Sequence, residues 1–425
     1  MKFKAAAFAL ALTVGVSAKA HAVSLSLNGA GASFEGSNSQ VVYASNSAGD
    51  PVVITSVGTK VLGDGEITEL GVPSMMPDGR VIFGAEVTSK GKDQKSARHP
   101  WAIFIGDPEA RPERRLSALE IKNKSMACDP VFHGDPYPVG DSDGRIAFMS
   151  ALGRGRDGVM LYSHGSLKCV AETGTRTLEG DRIAVLSFGS VQIGAHGEVV
   201  FNAYLNNPDQ PDGKHSQALL VATAGGASEI AVEGRSGPNG AEYLSPFGIP
   251  AAITSPQGTL VAFTAKIPSG AALFQYDGTG VSRVLTTGTN TALGPVSYLS
   301  PGRPGLMDDG TMAVLAGCAR EPVIFRLDHG HLNPSLERGQ LTPLGAVLNS
   351  FGDPVLTGTG SMFVGATDSE GREQVFVLDG NGGFFELGSP EGLYRTQYVP
   401  AREHSIFSGT LSVNPQGDFT YLGGK

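Results

Sequence analysis

Charge is scarce in this chain, and cysteine scarcer. Asp, Glu, Lys and Arg together make up 17% of 425 residues, and 41 acids against 32 Lys plus Arg leave a formal net charge of −9. That balance excludes the basic stripe of a nucleic-acid binder. Three cysteines, Cys128, Cys169 and Cys318, allow at most one internal disulfide. HExxH, CxxC, a Walker loop and an EF-hand run of Asp are all missing, so the motifs imply no metal and no cofactor. Beyond the first residues, no apolar stretch approaches the ~20 residues of a membrane-spanning helix.

Two motif look-alikes fail on context. Gly140-Asp141-Ser142-Asp143-Gly144 fits a nucleophile elbow, but such an elbow needs a strand-to-helix turn. Here it occupies a hairpin turn that recurs elsewhere as Pro77-Asp78-Gly79. Gly153 to Gly158 fits a dinucleotide fingerprint by spacing. It joins two strands, with no helix N-terminus to receive a pyrophosphate.

What is abundant is glycine, 59 residues. The N-terminus reads as an address: Lys2 and Lys4, an apolar run from Ala5 to Ala18, then the small-residue sites Ala18-Lys19-Ala20 and Ala20-His21-Ala22. This is the layout of a secretory signal peptide. The expectation is a signal peptide at 1–22 and one domain at 23–425, exported to the periplasm or exterior, with no membrane span in the mature chain.

A short pattern recurs seven times: a polar turn, Gly, a polar residue, then alternating apolar residues ending on a small one. The copies run from Pro77 to Ala85, Ser142 to Ser150, Ala195 to Ala203, Pro256 to Ala265, Asp308 to Ala316, Gly358 to Ala366 and Pro415 to Gly423. Their glycines are Gly79, Gly144, Gly197, Gly258, Gly310, Gly360 and Gly417. Asp-Gly or Gln-Gly before a strand supplies the left-handed residue of a tight turn. The strand that follows is apolar on both faces, as in Val81-Ile82-Phe83, so both of its faces must be covered. A second strand-turn-strand unit follows each copy but the last. Four short strands per repeat is the make-up of a propeller blade.

The stretch from Val41 to Val57 looks like a second unit lacking its first, and Ser408 to Leu422 a first unit lacking its second. The expectation is therefore an all-β, seven-bladed β-propeller whose last blade is closed by the N- and C-terminal strands, which removes open sheet edges. The Gly-x-x-Ala-Phe core resembles the tandem NxxGxxAF-type repeats of exported bacterial proteins. Asn414 alone supplies the Asn, and Ala-Phe occurs only at Ala147-Phe148 and Ala262-Phe263. The resemblance implies architecture and no settled activity.

In such a ring one face gathers the segments leading into each innermost strand and the loops between second and third strands. The channel mouth there is the natural binding site. Its candidates are His99, His133, Arg154, Arg156, Tyr204, His215, Arg402 and His404. Repeated Phe-Gly pairs at Phe188, Phe247 and Phe351 read as packing, and Phe132-His133-Gly134 and Arg402-Glu403-His404 break that pattern. Cys128 and Cys169 are expected to pair, with Cys318 in the core.

Two functional classes stay open. One is a binding or protein-interaction module, whose partner would be an anionic glycan or another exported protein. The alternative is a carbohydrate-active enzyme, most simply a polysaccharide lyase. β-Elimination beside a uronate needs a cation for the carboxylate (Arg154 or Arg402), a base (His133, His215 or His404) and an acid (Tyr204).

Overall fold

The computed structural model describes residues 40–45, 51–61, 65–88, 101–111, 116–119, 130–153, 155–206, 215–319, 321–343, 345–371, 373–380, 382–387, 412–414 and 418–424. The signal-peptide expectation, His99, Arg154, Arg402, His404 and Cys128 all lie outside these residues.

The fold is all-β, and every pairing among the described strands is antiparallel. Six blades follow one another, each from one unbroken stretch: 60–118, 130–172, 182–232, 244–286, 290–337 and 348–387, as sheets of five or six strands. The expectation of a seven-bladed ring is corrected here to six blades of this continuous kind. The remaining sheet has four strands, ordered Pro51–Ser56, Gln40–Ser45, Phe419–Gly424, Ser412–Val413. Among the described residues, two of its strands come from the last repeat copy and two from the opposite end of the chain. Val41 stands against Gly423, and Val42 against Leu422.

This sheet sits between blades 6 and 1. Val42 and Ala44 share one buried cluster with Phe83 and Ala85 of blade 1 and with Phe363, Val375 and Val377 of blade 6. Side chains lock it further. The Met75 N–H donates to Ser412 Oγ at 2.7 Å, and Asn414 Nδ2 donates to the Met76 carbonyl at 2.7 Å.

Strand Val81–Thr88 shows why the repeats read as apolar on both faces. Val81, Phe83 and Ala85 face the terminal sheet, whereas Ile82 joins Ile146 and Phe148 of blade 2. All of these are buried. The turn before that strand depends on Gly79, whose φ of +86° is left-handed.

Each blade's first strand comes in two pieces that pair with the same second strand. In blade 1 these are Gly65–Leu70 and Ser74–Met75, both on Val81–Thr88. The second pieces converge in succession around the ring: Ser74–Met75, Val139–Gly140, Gln192–Ile193, Ala251–Ser255, Gly305–Leu306 and Val355–Leu356. The first strands are therefore innermost. In five of the six blades the first piece carries a register shift, which twists an exposed edge away from further pairing.

Candidate functional site

The corner between the two pieces of each innermost strand joins the segments that meet around the ring. Five corners have the form Gly-X-Pro: Gly71-Val72-Pro73, Gly134-Asp135-Pro136, Gly248-Ile249-Pro250, Gly302-Arg303-Pro304 and Gly352-Asp353-Pro354. Each residue type has a physical reason. In three of the five, the N–H of X reaches an acceptor on the next blade. Val72 donates to Asp135 Oδ2 at 2.8 Å, Ile249 to the Pro301 carbonyl at 3.0 Å, and Arg303 to Asp353 Oδ2 at 2.8 Å. Glycine is required because that acceptor lies on top of it. A β-carbon at Gly71 would come within 2.4 Å of the Asp135 carboxyl, at Gly248 within 2.6 Å of the Pro301 oxygen, and at Gly302 within 2.0 Å of Asp353. Proline then brings no N–H that would be left unpaired.

These latches hold unusual charges. Asp135 keeps some exposed surface, but its carboxyl is enclosed by Gly71 and Gly84. Desolvation of that carboxyl lifts it to about 6, against the pull of the Tyr137 and Val72 N–H groups; nearby Glu69 adds to the rise. Burial, then Asp135 and Glu69, push the Tyr137 phenol to about 12. Burial likewise raises Asp353 to about 6, opposed by the N–H and charge of Arg303 and by Ser300. Burial depresses Arg303 to about 10. Both Asp135 oxygens accept backbone N–H groups, at 2.8 and 2.9 Å, so this carboxylate acts as a structural latch between blades.

Corner length varies around the ring. Three residues separate the strand pieces in blades 1, 4 and 6 (71–73, 248–250, 352–354), five in blades 3 and 5 (187–191, 300–304) and seven in blade 2 (132–138). The longer corners carry His133, Phe188 and Arg303. On blade 3 the added pair Phe188-Gly189 leaves Phe188 39% exposed. Val185, at 43%, stands directly across from Tyr204, at 37%, so both lie on one side of the sheet. Two residues along that strand, Asn206 Oδ1 bonds His215 Nδ1 at 2.6 Å, and Asn206 pairs in register with exposed Arg182. Buried Asn202, on the Tyr204 side of the strand, donates Nδ2 to the Gly248 carbonyl of blade 4 at 3.0 Å. Blade 3 thus presents an apolar and aromatic surface on its side toward blade 4, edged by hydrogen-bonding groups.

A family model described as "Family of unknown function (DUF7453)" matches residues 20–382. The chain belongs to the DUF7453 family. No curated protein matches it. Among solved structures it is similar to the Dos1 propeller, with 13% identity, a TM-score of 0.39, and coverage of 87% of this chain and 83% of that one. It is also similar to the BP39L lectin from Burkholderia pseudomallei, with 12% identity, a TM-score of 0.37, and coverage of 87% and 99%. A third is a Mycobacterium tuberculosis puromycin-hydrolysing peptidase, with 12% identity, a TM-score of 0.35, and coverage of 76% and 54%. The chain thus spans about half the length of that peptidase. At such scores the propeller assignment of this DUF7453 chain rests on its own sheet topology.

Of the residues expected at the mouth, the structure brings Tyr204 and His215 together on neighbouring strands of blade 3. His133 stands exposed on the blade 2 corner. Arg156 lies further out, on the third strand of blade 2, where it is bridged to Glu172 at 2.9 Å. Among the Phe-Gly pairs, Phe247 and Phe351 are buried while Phe188 is exposed, and Phe132, ahead of His133, packs against Phe148. The difference is register: Leu186, opposite Ala203, fills the place that Phe247 and Phe351 hold opposite Ala265 and Ala366. Sequence reasoning passed over Asp135, Arg303 and Asp353. The repeated Gly-Asp-Pro at 134–136 and 352–354 was the signal that could have found them.

Proposed function

We propose that this DUF7453 chain is an exported binding module whose repeats are of the NxxGxxAF type, and that it takes a glycan on blade 3. The observation that carries the reading is the grouping of three exposed large apolar side chains on blade 3, with Val185 opposite Tyr204 and Phe188 on the adjoining corner. The apolar face of a sugar ring stacks on such a surface. Its hydroxyl or carboxylate groups meet Arg182, Asn206 and His215 at the edge.

Binding to a panel of neutral and uronate-containing oligosaccharides, followed by calorimetry, tests this. Phe188→Ala and Tyr204→Ala should each weaken binding at least about tenfold, in line with the loss of an aromatic anchor. Leu341→Ala, an exposed apolar residue of a different blade, should leave it unchanged. Equal effects at all three positions, or no glycan bound, would remove the reading.

One observation favours a lyase as the second reading. Tyr204 and His215 are an acid and a base of the kind β-elimination needs, and the pairings Tyr204–Gln217 and Asn206–His215 set them two register positions apart. Appearance of an unsaturated-product absorbance on polyuronates, lost in Tyr204→Phe, would favour it over simple binding.

A further inference from the structure

The X position of the Gly-X-Pro corners holds Val72 in blade 1 and Ile249 in blade 4, both buried and apolar. Blade 5 places Arg303 at the same point. The backbone role is unchanged, since the N–H of Arg303 is latched to Asp353 as that of Val72 is to Asp135. Nothing in the corner's architecture calls for a guanidinium.

The side chain has no internal use. Its Nε is enclosed without a hydrogen-bond partner, and no salt bridge reaches it among the described residues. Asp353 is the nearby opposite charge, but its oxygens are turned to the Arg303 N–H at 2.8 Å and to Ser300 Oγ at 3.5 Å. Gly302 fixes the carboxyl there, with no room for a β-carbon. Asp353 therefore offsets the charge of Arg303 from a distance without occupying its donors. Arg303 is half-buried, and an enclosed Nε–H without a partner is costly to keep, while a guanidinium is the group best matched to the paired oxygens of a carboxylate or phosphate. Burial lowers its basicity only to about 10, so it stays charged at neutral pH.

We propose that Arg303 anchors an oxyanion-binding site on the long corner of blade 5 where it meets blade 6. This goes beyond the glycan surface of blade 3 and does not depend on it. The ligand class is a carboxylate or phosphate group small enough to reach the inner strands.

The test titrates the full chain with sodium glucuronate and, separately, with inorganic phosphate at constant ionic strength, with glucose as the neutral control. The wild type should show saturable binding and a raised melting temperature with at least one oxyanion. Glucose at the same concentrations should give no response that depends on Arg303. The arm that responds identifies a sugar carboxylate or a phosphate as the natural chemistry. Arg303→Met should weaken binding at least tenfold, Arg303→Lys should restore part of it, and Leu178→Ala, at an exposed residue remote from blade 5, should leave it intact. Should Arg303→Met fail to fold, Arg303→Val copies the residue that blade 1 already tolerates at this corner. No saturable oxyanion binding by the wild type, or binding that survives the loss of Arg303, would overturn the proposal.

Discussion

Asp135 of blade 2 rests so closely on Gly71 of blade 1 that a methyl group there would meet its carboxyl carbon at 2.4 Å. The contact joins residues 64 positions apart, and its geometry recurs between Gly302 and Asp353. Two blade boundaries are thus sealed by the same device: a carboxylate from one corner set on the glycine of the corner before it.

Gly71→Ala is expected to destabilise the protein by about 1–3 kcal/mol, because the added methyl must displace a carboxylate held by two backbone N–H groups. Gly365→Ala is the matched control, in a strand with open space at its β-carbon position, and should shift stability by less than about 0.5 kcal/mol. Urea denaturation of both variants checks this. Equal effects would show that the corner tolerates the methyl.

The pH dependence follows from Asp135 and Asp353. Each carboxyl titrates near 6 in the folded protein against 3.8 as its ordinary value. Between those values the folded state holds a proton that the unfolded state has released, so stability falls as pH rises from about 4 to about 6. The difference in unfolding free energy between wild type and Asp353→Asn should therefore move by on the order of 2–3 kcal/mol across that window, with the wild type losing ground as pH rises. A flat difference would mean the carboxyl is not raised.

Closure of the ring by the terminal sheet can be tested at a single side chain. Asn414 is buried and spans two sheets through the Met76 carbonyl. Asn414→Ala removes this bond between sheets and leaves the Met76 carbonyl only the Gly79 N–H, which should cost about 0.5–1.5 kcal/mol. Ending the chain after Asn414 removes Phe419–Gly424, the strand against which Gln40–Ser45 is paired. Thermal melting should then show one transition at a much lower temperature. An unchanged melting curve would contradict the closure.

Cys318 offers a probe of global unfolding. It carries a buried thiol, with Sγ 3.7 Å from the Gly294 carbonyl. A thiol reagent should label it only at the rate at which the protein opens. Prompt labelling of Cys318 in native buffer would show that the end of its strand, Met312–Cys318, frays.

The sequence by itself determined the strands and their faces. Val81-Ile82-Phe83 reads as apolar on both sides, and an alternating chain can satisfy that only between two neighbours, as it does. Gly79 and its counterparts announced their turns because a left-handed residue leaves a local signature. Tertiary structure alone decided which repeats make whole blades and where charge is spent. The incomplete units at the two ends announced that Gln40–Ser45 and Phe419–Gly424 pair, but the make-up of the sheet they share, four strands against five or six in the continuous blades, emerges only in three dimensions. Arg303 and Asp353 look like ordinary surface charges in one dimension. Their desolvation arises only when one blade's corner closes on the next, and Phe188 is exposed only because two added residues move it out of the register that buries Phe247.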